Sequence, residues 1–356
     1  MPPAIEQLLP YRQLADLHAD LAALADLAEA PRLAGRLGEL LYALLEAGAG
    51  GLLLTRMISA LNDCLSVRVI ELTARQHRLP PVTWCWLALG SEGREEQTFV
   101  TDQDNGLIFS ATDAREADAL RVLFLPFAQA VNEQLAACGF ALCSGRIMAG
   151  NADWCLSADE WREQFIDWVR RPDPAALLNA SIFFDLRPLY GSFELAEDLR
   201  SLMLSLTVDT PAFLHLMAAN ALQASPPLSF RGEVLAAGGS AGDELDLKKF
   251  GSRIFVDAAR IFALAAGVRP VASRLRLHQA GPLAGVQPGQ LAAIEAAFSH
   301  VLRLRLEQQM LAARAGQPAS NVLKPAALHD VDQAILRESL HQARHLQQRL
   351  KLNYAL

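Results

Sequence analysis

The strongest constraint on the fold is a stretch in which a predicted strand, a glycine-serine turn and two aspartates follow one another. It reads LGSEGREEQTFVTDQDNGLIF, from Leu89 to Phe109. The run VTWCWLA precedes it and the run NGLIF ends it, and both are rich in the β-branched, aromatic and apolar residues of buried strands. The sequence therefore predicts two strands joined by a polar segment that carries several potential ligand-binding groups.

The turn at Gly90 and Ser91 has the composition of an anion-binding site. Where a strand ends and a helix begins, the free amides of the first helical turn and the positive end of the helix dipole face the occupant. Gly93 has no Cβ to keep a phosphate away, Ser91 can donate a hydroxyl, and Arg94 can donate a fork of hydrogen bonds to phosphate oxygens. Ser91 alone is more typical of an ordinary helix cap, so only the combination favours a function.

Asp102 and Asp104 predict a divalent-cation site. Residues two apart on a strand point to the same side, with their Cα atoms about 6.5 to 7 Å apart. Two carboxylates that face a phosphate-binding turn suit Mg²⁺, or Mn²⁺, completed by substrate phosphates. The pair alone would equally fit a solvated strand edge. An EF-hand is excluded because the twelfth position counted from Asp102 is Asp113 instead of glutamate, and no Walker A sequence occurs.

The composition excludes several other classes of protein. With 52% hydrophobic and 20% charged residues, the chain can build an ample globular core. A formal net charge of -7 argues against a nucleic-acid partner, because binding to the phosphate backbone needs a basic surface. Five cysteines without a C-x-x-C pair indicate neither a disulfide framework nor a zinc knuckle. Lacking a signal-peptide pattern or a long apolar run, the sequence leads us to expect a cytoplasmic protein without a membrane partner.

Outside this stretch the sequence is mainly helical. Leucines and alanines at helical spacing predict an N-terminal helical segment over residues 1–78, a small α/β core over 79–155 and a helical domain over 156–356. The segment FALCSGRIM, Phe140 to Met148, predicts a third strand, and no strand is expected beyond Ala149. We therefore predict an α+β fold that is predominantly helical.

Two capping patterns locate helices within this plan. Asp113 with Glu116 and Ser157 with Glu160 each place a side-chain acceptor at an N-cap and a carboxylate three residues later. An aromatic cluster around the second cap is interpreted as core between two domains, and its members are Trp154, Trp161, Phe165 and Trp168.

The stretch LGSEGREEQTFVTDQDN resembles the nucleotidyltransferase signature of the DNA polymerase β superfamily. More narrowly, it is similar to the DUF294-type nucleotidyltransferases, relatives of the nucleotidyltransferase domain in bacterial PII uridylyltransferase. The resemblance runs from about residue 40 through most of the chain. Three later segments resemble the family's helical substrate-binding domain: FFDLRPLYG (Phe183 to Gly191), LDLKKFGSRIFVDAARIFALAAGV (Leu245 to Val268) and RLRLEQQ (Arg303 to Gln309). The resemblance implies a polymerase-β-like core followed by a helical bundle.

The resemblance assigns a role to each residue of the signature. It implies that Gly90 and Ser91 form the triphosphate turn, that Arg94 supports the turn or contacts phosphate, and that Asp102 and Asp104 are catalytic metal ligands. The implied reaction is the Mg²⁺-dependent transfer of NMP from an NTP to a hydroxyl of a protein or small-molecule acceptor. The uridylyltransferase relationship suggests a protein tyrosine as the acceptor.

One departure from the superfamily pattern leaves a second function open. Many of these enzymes carry a third carboxylate on a later strand, yet CSGRIMAGN contains no acid. Asp153 or Asp185 could serve instead, although Asp185 beside Arg187 is better interpreted as part of an ion pair. The alternative is therefore a catalytically impaired, nucleotide-binding regulatory or scaffold protein. Relatives often carry regulatory modules upstream of the signature. Because this sequence shows no such module, we expect regulation of its activity to come from a separate partner protein.

Lys248 and Lys249 are the candidates for phosphate binding in the helical domain. Two adjacent cations could clamp the β- and γ-phosphates of a bound NTP. Lysines that follow the acidic residues of the preceding loop equally fit a solvent-facing helix start, and the sequence leaves both interpretations open.

Overall fold

The computed structural model describes residues 12–230, 232–235 and 244–356. The first eleven residues of the predicted N-terminal helical segment lie outside this part of the chain. The protein divides into two compact units. The first unit comprises residues 1–47, 55–171 and 178–203, and the second comprises 48–54, 172–177 and 204–356.

From residue 12 onward, three helices precede the sheet, in agreement with the helical spacing of the leucines. The elements are α1 (Arg12–Ala22), a 3₁₀ turn (Leu27–Glu29), α2 (Ala30–Glu46) and α3 (Gly51–Gln76). One face of α2 is buried by leucines spaced four apart, at positions 33, 37, 41 and 45.

A four-stranded mixed sheet forms the centre of the first unit. Its strands are β1 (Trp84–Ala88), β2 (Asn105–Phe109), β3 (Cys155–Ser157) and β4 (Arg187–Gly191), in the order β3-β2-β1-β4. The central strand β1 pairs antiparallel with both β2 and β4, whereas β3 runs parallel to β2. Both central strands are almost entirely buried, which explains their continuous apolar sequences.

Two helices of the first unit begin at the predicted caps. Helix α4 is the single turn Gly90–Gly93, which follows β1. At the start of α5 (Ala114–Ala137), the side chain of Asp113 accepts a hydrogen bond from the Glu116 amide. Ser157 and Glu160 form a complete capping box on α6 (Ala158–Arg170).

The strand prediction for residues 140–148 is wrong. That segment has only one isolated bridge, between Ala141 and Asp102, and a turn around Ser144 and Gly145. The third and fourth strands lie later in the chain, so the expectation that no strand follows Ala149 is also wrong. Strand β4 includes most of the FFDLRPLYG segment, which the resemblance had linked to the helical domain.

The aromatic cluster lies inside the first unit, so its assignment to an interface between domains is wrong. Trp154 and Trp161 stack with ring centroids 6.1 Å apart, and the Phe183 ring packs 4.4 Å from Trp154 and 5.0 Å from Trp168. The indole N–H of Trp161 donates to the carbonyl of Leu107 in β2. These rings therefore anchor α6 to the sheet.

The remainder of the chain is mainly helical. Its elements are α7 (Pro174–Phe183), α8 (Phe193–Val208), α9 (Pro211–Ala221), β5 (Leu245–Asp246), a π-helical turn (Lys248–Ser252), α10 (Arg253–Ala265), α11 (Ser273–Ala280), α12 (Pro288–Arg314), β6 (Val322–Leu323), a 3₁₀ turn (Pro325–Ala327) and α13 (Asp330–Tyr354). The prediction of a predominantly helical α+β fold is confirmed. Across the described ranges, no single helix has both the length and the apolar character needed to cross a membrane.

Candidate active site

Asp102 and Asp104 lie on the segment that leads into β2. The amide of Leu89, at the end of β1, donates a 2.9 Å hydrogen bond to the Asp104 carbonyl, which extends the β1–β2 ladder by one residue. Asp102 is exposed and Asp104 is half-buried, whereas Gln103 and Asn105 are buried. This alternation is the period of two expected for a strand, and it turns both carboxylates away from the core.

Gly90 and Asp104 are in direct contact. The backbone of Gly90 has a φ of +53°, and a Cβ built on it would lie 2.7 Å from Oδ2 of Asp104. A side chain at position 90 would therefore occupy the place of the carboxylate. The pairing of β1 with β2 thus brings the first residue of the glycine-serine turn against one of the two aspartates.

The turn itself is one helical turn, α4, in which Ser91 is half-buried. Its N-cap residue, Leu89, makes no side-chain capping hydrogen bond. The Ser91 carbonyl accepts a 2.9 Å hydrogen bond from the Glu96 amide, which folds the chain back after the turn. The amides and the Ser91 hydroxyl of this turn are the groups that could bind phosphate.

Two of the three non-glycine residues with a positive φ in the described ranges lie in the segments around the aspartates. Glu95 follows the turn with a φ of 58°, and Arg146 has a φ of 56° in the turn beside Cys143. The third residue of this kind in the described ranges is Ala355, which ends α13. Positive φ is uncommon outside glycine and is found more often at functional sites.

Gly93 has a packing role that its sequence position does not reveal. A Cβ at this residue would lie 1.8 Å from the carbonyl oxygen of Asp185 and 2.9 Å from that of Ala88. The missing side chain therefore lets the turn lie directly on the chain that enters β4. The space that was expected to admit a phosphate is filled by backbone.

Arg94 is held by two carboxylates of its own unit. Its guanidinium forms ion pairs with Glu96 at 2.9 Å and with Asp185, whose side chain is fully buried. The resemblance left open whether Arg94 supports the turn or contacts phosphate, and these contacts favour support of the turn. The ion pair expected for Asp185 is present, but its partner is Arg94 instead of the neighbouring Arg187.

Arg187 of β4 also binds the C-terminal end of this turn. Its guanidinium donates to the carboxylate of Asp63 in α3 at 2.9 Å and to the carbonyls of Glu92 at 3.1 Å and Gly93 at 3.3 Å. Burial alone would lower the pKa of Arg187, but the Asp63 carboxylate together with Glu95 and Glu92 offsets burial and raises this pKa. Burial raises the pKa of Asp63 against the opposing charge of Arg187. Because guanidinium keeps its proton and the contact is close, we assign a charged pair.

Glu92 is a buried carboxyl within the turn that the sequence gave no reason to single out. Burial raises its pKa to about 8, the charges of Asp63 and Asp104 add to the rise, and Arg187 opposes it. At neutral pH this side chain is therefore mainly protonated. Nothing in the letters GSEG distinguishes it from a solvent-facing glutamate.

The two aspartates supply only part of a cation site. Within the described ranges, no group of three or more His, Cys, Asp or Glu side chains could hold a metal ion. Asp185 is paired with Arg94, and Asp153 is exposed on the 3₁₀ turn Ala152–Trp154. Two carboxylates with hard oxygen atoms fit Mg²⁺ or Mn²⁺ when substrate phosphates complete the coordination.

Lys248 and Lys249 lie in the second unit, at the start of the π-helical turn. Both residues are exposed, and both main-chain amides donate to Oδ1 of Asp246, at 2.8 and 3.0 Å. The ammonium group of Lys249 lies 5.0 Å from the centroid of the Phe250 ring. Their predicted contact with phosphate stays a prediction.

Sequence comparison with protein families gives two matches. The family described as "Putative nucleotidyltransferase DUF294" matches residues 35–175, and the family described as "Putative nucleotidyltransferase substrate binding domain" matches residues 211–354. No curated protein matches the chain. Asp185 and Arg187 fall between the two matched regions, although both residues support the turn in the first of them.

Proposed function

Because the chain belongs to the DUF294 family of nucleotidyltransferases, we propose that it transfers NMP from an NTP to a hydroxyl of a protein or small-molecule acceptor. The observation that carries this proposal is the contact between Gly90 and Asp104, which sets a carboxylate against a turn suited to phosphate. In this reaction the acceptor oxygen bonds to the α-phosphorus and the bond from that phosphorus to the β-phosphate oxygen breaks. Pyrophosphate leaves, and the hydroxyl proton passes to solvent water.

In this proposal the residues of the first unit bind and orient the triphosphate. Asp102 and Asp104 hold Mg²⁺ or Mn²⁺, which supplies charge neutralisation at the phosphates and activation of the acceptor hydroxyl. The Ser91 hydroxyl and the amides of its turn donate hydrogen bonds to phosphate oxygens. Arg94 keeps the turn in place through its buried ion pairs. Positioning and electrostatic stabilisation then provide most of the rate enhancement.

The second unit carries two further candidates for phosphate binding. Lys248 and Lys249 are proposed for this role because both side chains are exposed cations. The acceptor and a separate regulatory partner protein are proposed from the family resemblance alone, and a cytoplasmic location is proposed from the lack of a long apolar run in the sequence.

The test is to incubate the purified protein with each α-labelled NTP and Mg²⁺, with and without host lysate. We expect label on one acceptor together with released pyrophosphate. Asp102→Asn and Asp104→Asn should each abolish labelling. The matched control is Asp167→Asn, which removes an exposed carboxylate from α6 and should label like the wild type.

A second candidate function is nucleotide binding without catalysis. It is favoured by the lack of a third carboxylate ligand among the described residues. This function predicts measurable NTP affinity, no labelled product with any NTP, and weaker affinity in Asp104→Asn. Label that disappears in the aspartate variants would reject it.

A further inference from the structure

A buried network of amide side chains lies directly beneath the two aspartates. Gln103, Asn105 and Asn132 are 1%, 1% and 4% exposed. The Nδ2 atom of Asn132, in the last third of α5, donates to Oε1 of Gln103 at 2.8 Å and to Oδ1 of Asn105 at 3.0 Å. Buried amides are costly unless their polar groups are paired, and these are paired with one another.

The network also fixes the backbone of the neighbouring segments. Nε2 of Gln103 donates to the carbonyls of Asn132 at 2.9 Å and Phe140 at 3.0 Å. The amide of Ala149 donates to Oδ1 of Asn105 at 2.8 Å, and the amide of Gly150 donates to Oδ1 of Asn132 at 2.9 Å. The network thus joins α5, the start of β2 and both ends of the segment 140–150.

The same segment lies alongside the aspartates. The amides of Gln103 and Asn105 donate to the carbonyls of Ala141 at 2.8 Å and Ile147 at 3.2 Å. The thiol of Cys143, between these two carbonyls, is hydrogen-bonded to Asp104. Hydrogen bonds therefore hold the segment 140–150 on both sides of Cys143, the residue that contacts the Asp104 carboxylate.

The position of each aspartate depends on its buried neighbours. Gln103 lies between Asp102 and Asp104, and Asn105 follows Asp104, so inward anchoring of the amides sets the outward direction of the carboxylates. An apolar pair at these positions could fill the core but could not bond the carbonyls and amides of residues 132–150. Buried amides at positions 103 and 105 can therefore fix the orientation of the strand and its two aspartates, which apolar residues at these positions could not do.

We infer that Gln103, Asn105 and Asn132 are positioning residues that hold Asp102 and Asp104 in the geometry needed for a divalent cation. This inference rests on the proposed function, because it takes the two aspartates to be the cation ligands. Supporting residues around a metal ligand commonly change metal affinity or activity by about 10- to 100-fold when replaced.

The test uses Gln103→Met in the full chain, with Mn²⁺ as the probe and its binding read from the EPR signal of the free ion. We expect the dissociation constant for Mn²⁺ to rise about tenfold, and the Mg²⁺ concentration for half-maximal labelling to rise with it. Loss of binding in Asp104→Asn establishes that the aspartate site is being measured. If Gln103→Met does not fold, Asn105→Val removes the shared acceptor oxygen and introduces a β-branched residue, which strands favour.

Thr207→Val is the control for the loss of a buried hydrogen bond. Thr207 is fully buried in the second unit, and its hydroxyl shares its one hydrogen between the carbonyls of Leu204 and Leu264. The Thr207→Val substitution should lower the melting temperature of the protein without changing its affinity for Mn²⁺. A Gln103→Met protein that loses stability but binds Mn²⁺ like the wild type would overturn the inference.

The remaining outcomes separate the inference from the proposed function. A wild type that binds Mn²⁺ at Asp104 but labels no acceptor would count against nucleotidyl transfer, and the affinity of Gln103→Met would still decide the inference. A wild type that binds no Mn²⁺, either alone or together with an NTP, would overturn the positioning role together with the cation site.

Discussion

The carboxylate of Asp104 occupies the place where a side chain at Gly90 would begin, since a Cβ there would lie 2.7 Å from Oδ2. This contact joins the two parts of the motif, the turn after β1 and the aspartate before β2. It explains the glycine in terms of both space and a φ of +53°. The aspartate is the more mobile partner, because its side chain can rotate while the turn is held by Arg94 and Arg187.

Gly90→Ala should therefore damage function more than stability. The added methyl group would push the Asp104 carboxylate aside, and we expect labelling activity to fall at least about 100-fold, because small displacements of catalytic groups have effects of this size. The backbone penalty for alanine should be about 1 kcal/mol. Labelling rates and urea unfolding would measure the two effects.

Gly316→Ala is the control for this substitution. Gly316 has a similar φ of +63°, but a Cβ there meets no heavy atom within 4 Å. It should lose similar stability and keep full activity. Wild-type activity in Gly90→Ala would show that the turn does not set the position of Asp104.

Gly93→Ala should act on stability. The new Cβ would lie 1.8 Å from a backbone carbonyl of Asp185, which cannot rotate away as a side chain can. We expect the free energy of unfolding to fall by about 3 kcal/mol, at the upper end of overpacking effects. Gly35→Ala, at an exposed position inside α2 with open space around it, should instead raise stability by about 0.5 to 1 kcal/mol. Chemical denaturation of both variants would check the contrast.

Local sequence patterns predicted the elements that depend on local interactions. The leucine spacing of α2 and the capping box at Ser157 and Glu160 involve neighbours within one helical turn, so both could be predicted from adjacent letters. Strand β3 was missed because it has only three residues and ends at that cap. Strand β4 was missed because it contains Pro188, which is typical of edge strands, and follows the apolar end of α7.

In the candidate site too, the residues that are close in sequence could be predicted and those from distant parts of the chain could not. The turn and the aspartate pair lie within one short stretch, so the pairing of two predicted strands was enough to suggest their proximity. The groups that support them, Asp63, Asn132 and Arg187, come from other parts of the chain. Charge and polarity alone could not tell which arginine would pair with Asp185, and the neighbouring Arg187 was the wrong choice because the turn brings Arg94 closer.

Arg187→Met should be among the most destabilising substitutions in the first unit. It would leave Asp63 buried without its counter-ion and remove the donor to the Glu92 and Gly93 carbonyls. Removing one member of a buried ion pair typically costs about 3 to 5 kcal/mol. Urea unfolding of the variant would measure the loss.

Two further variants test whether the buried charge is the cause. Adding Asp63→Leu to Arg187→Met should recover a large part of the lost stability, because the unpaired carboxylate is gone. Arg171→Met removes an exposed arginine whose ion pair with Asp167 is 3.7 Å long, and it should change stability by no more than about 0.5 kcal/mol. A double variant as unstable as Arg187→Met alone would assign the loss to the hydrogen bonds of the turn.

Glu92 should make the protein less stable as the pH rises. Its pKa is raised from 4.5 to about 8 in the folded protein, so between these values the folded state binds a proton that the unfolded state has released. The contribution of Glu92 to the free energy of unfolding must then fall with increasing pH, by at most about 1.4 kcal/mol per pH unit. Glu92→Gln has no such proton, so its stability relative to the wild type should increase from about pH 5 to pH 8 and then level off. Urea unfolding of both proteins at each pH would measure the difference, and a constant difference across this range would show that Glu92 is ionised in the folded turn.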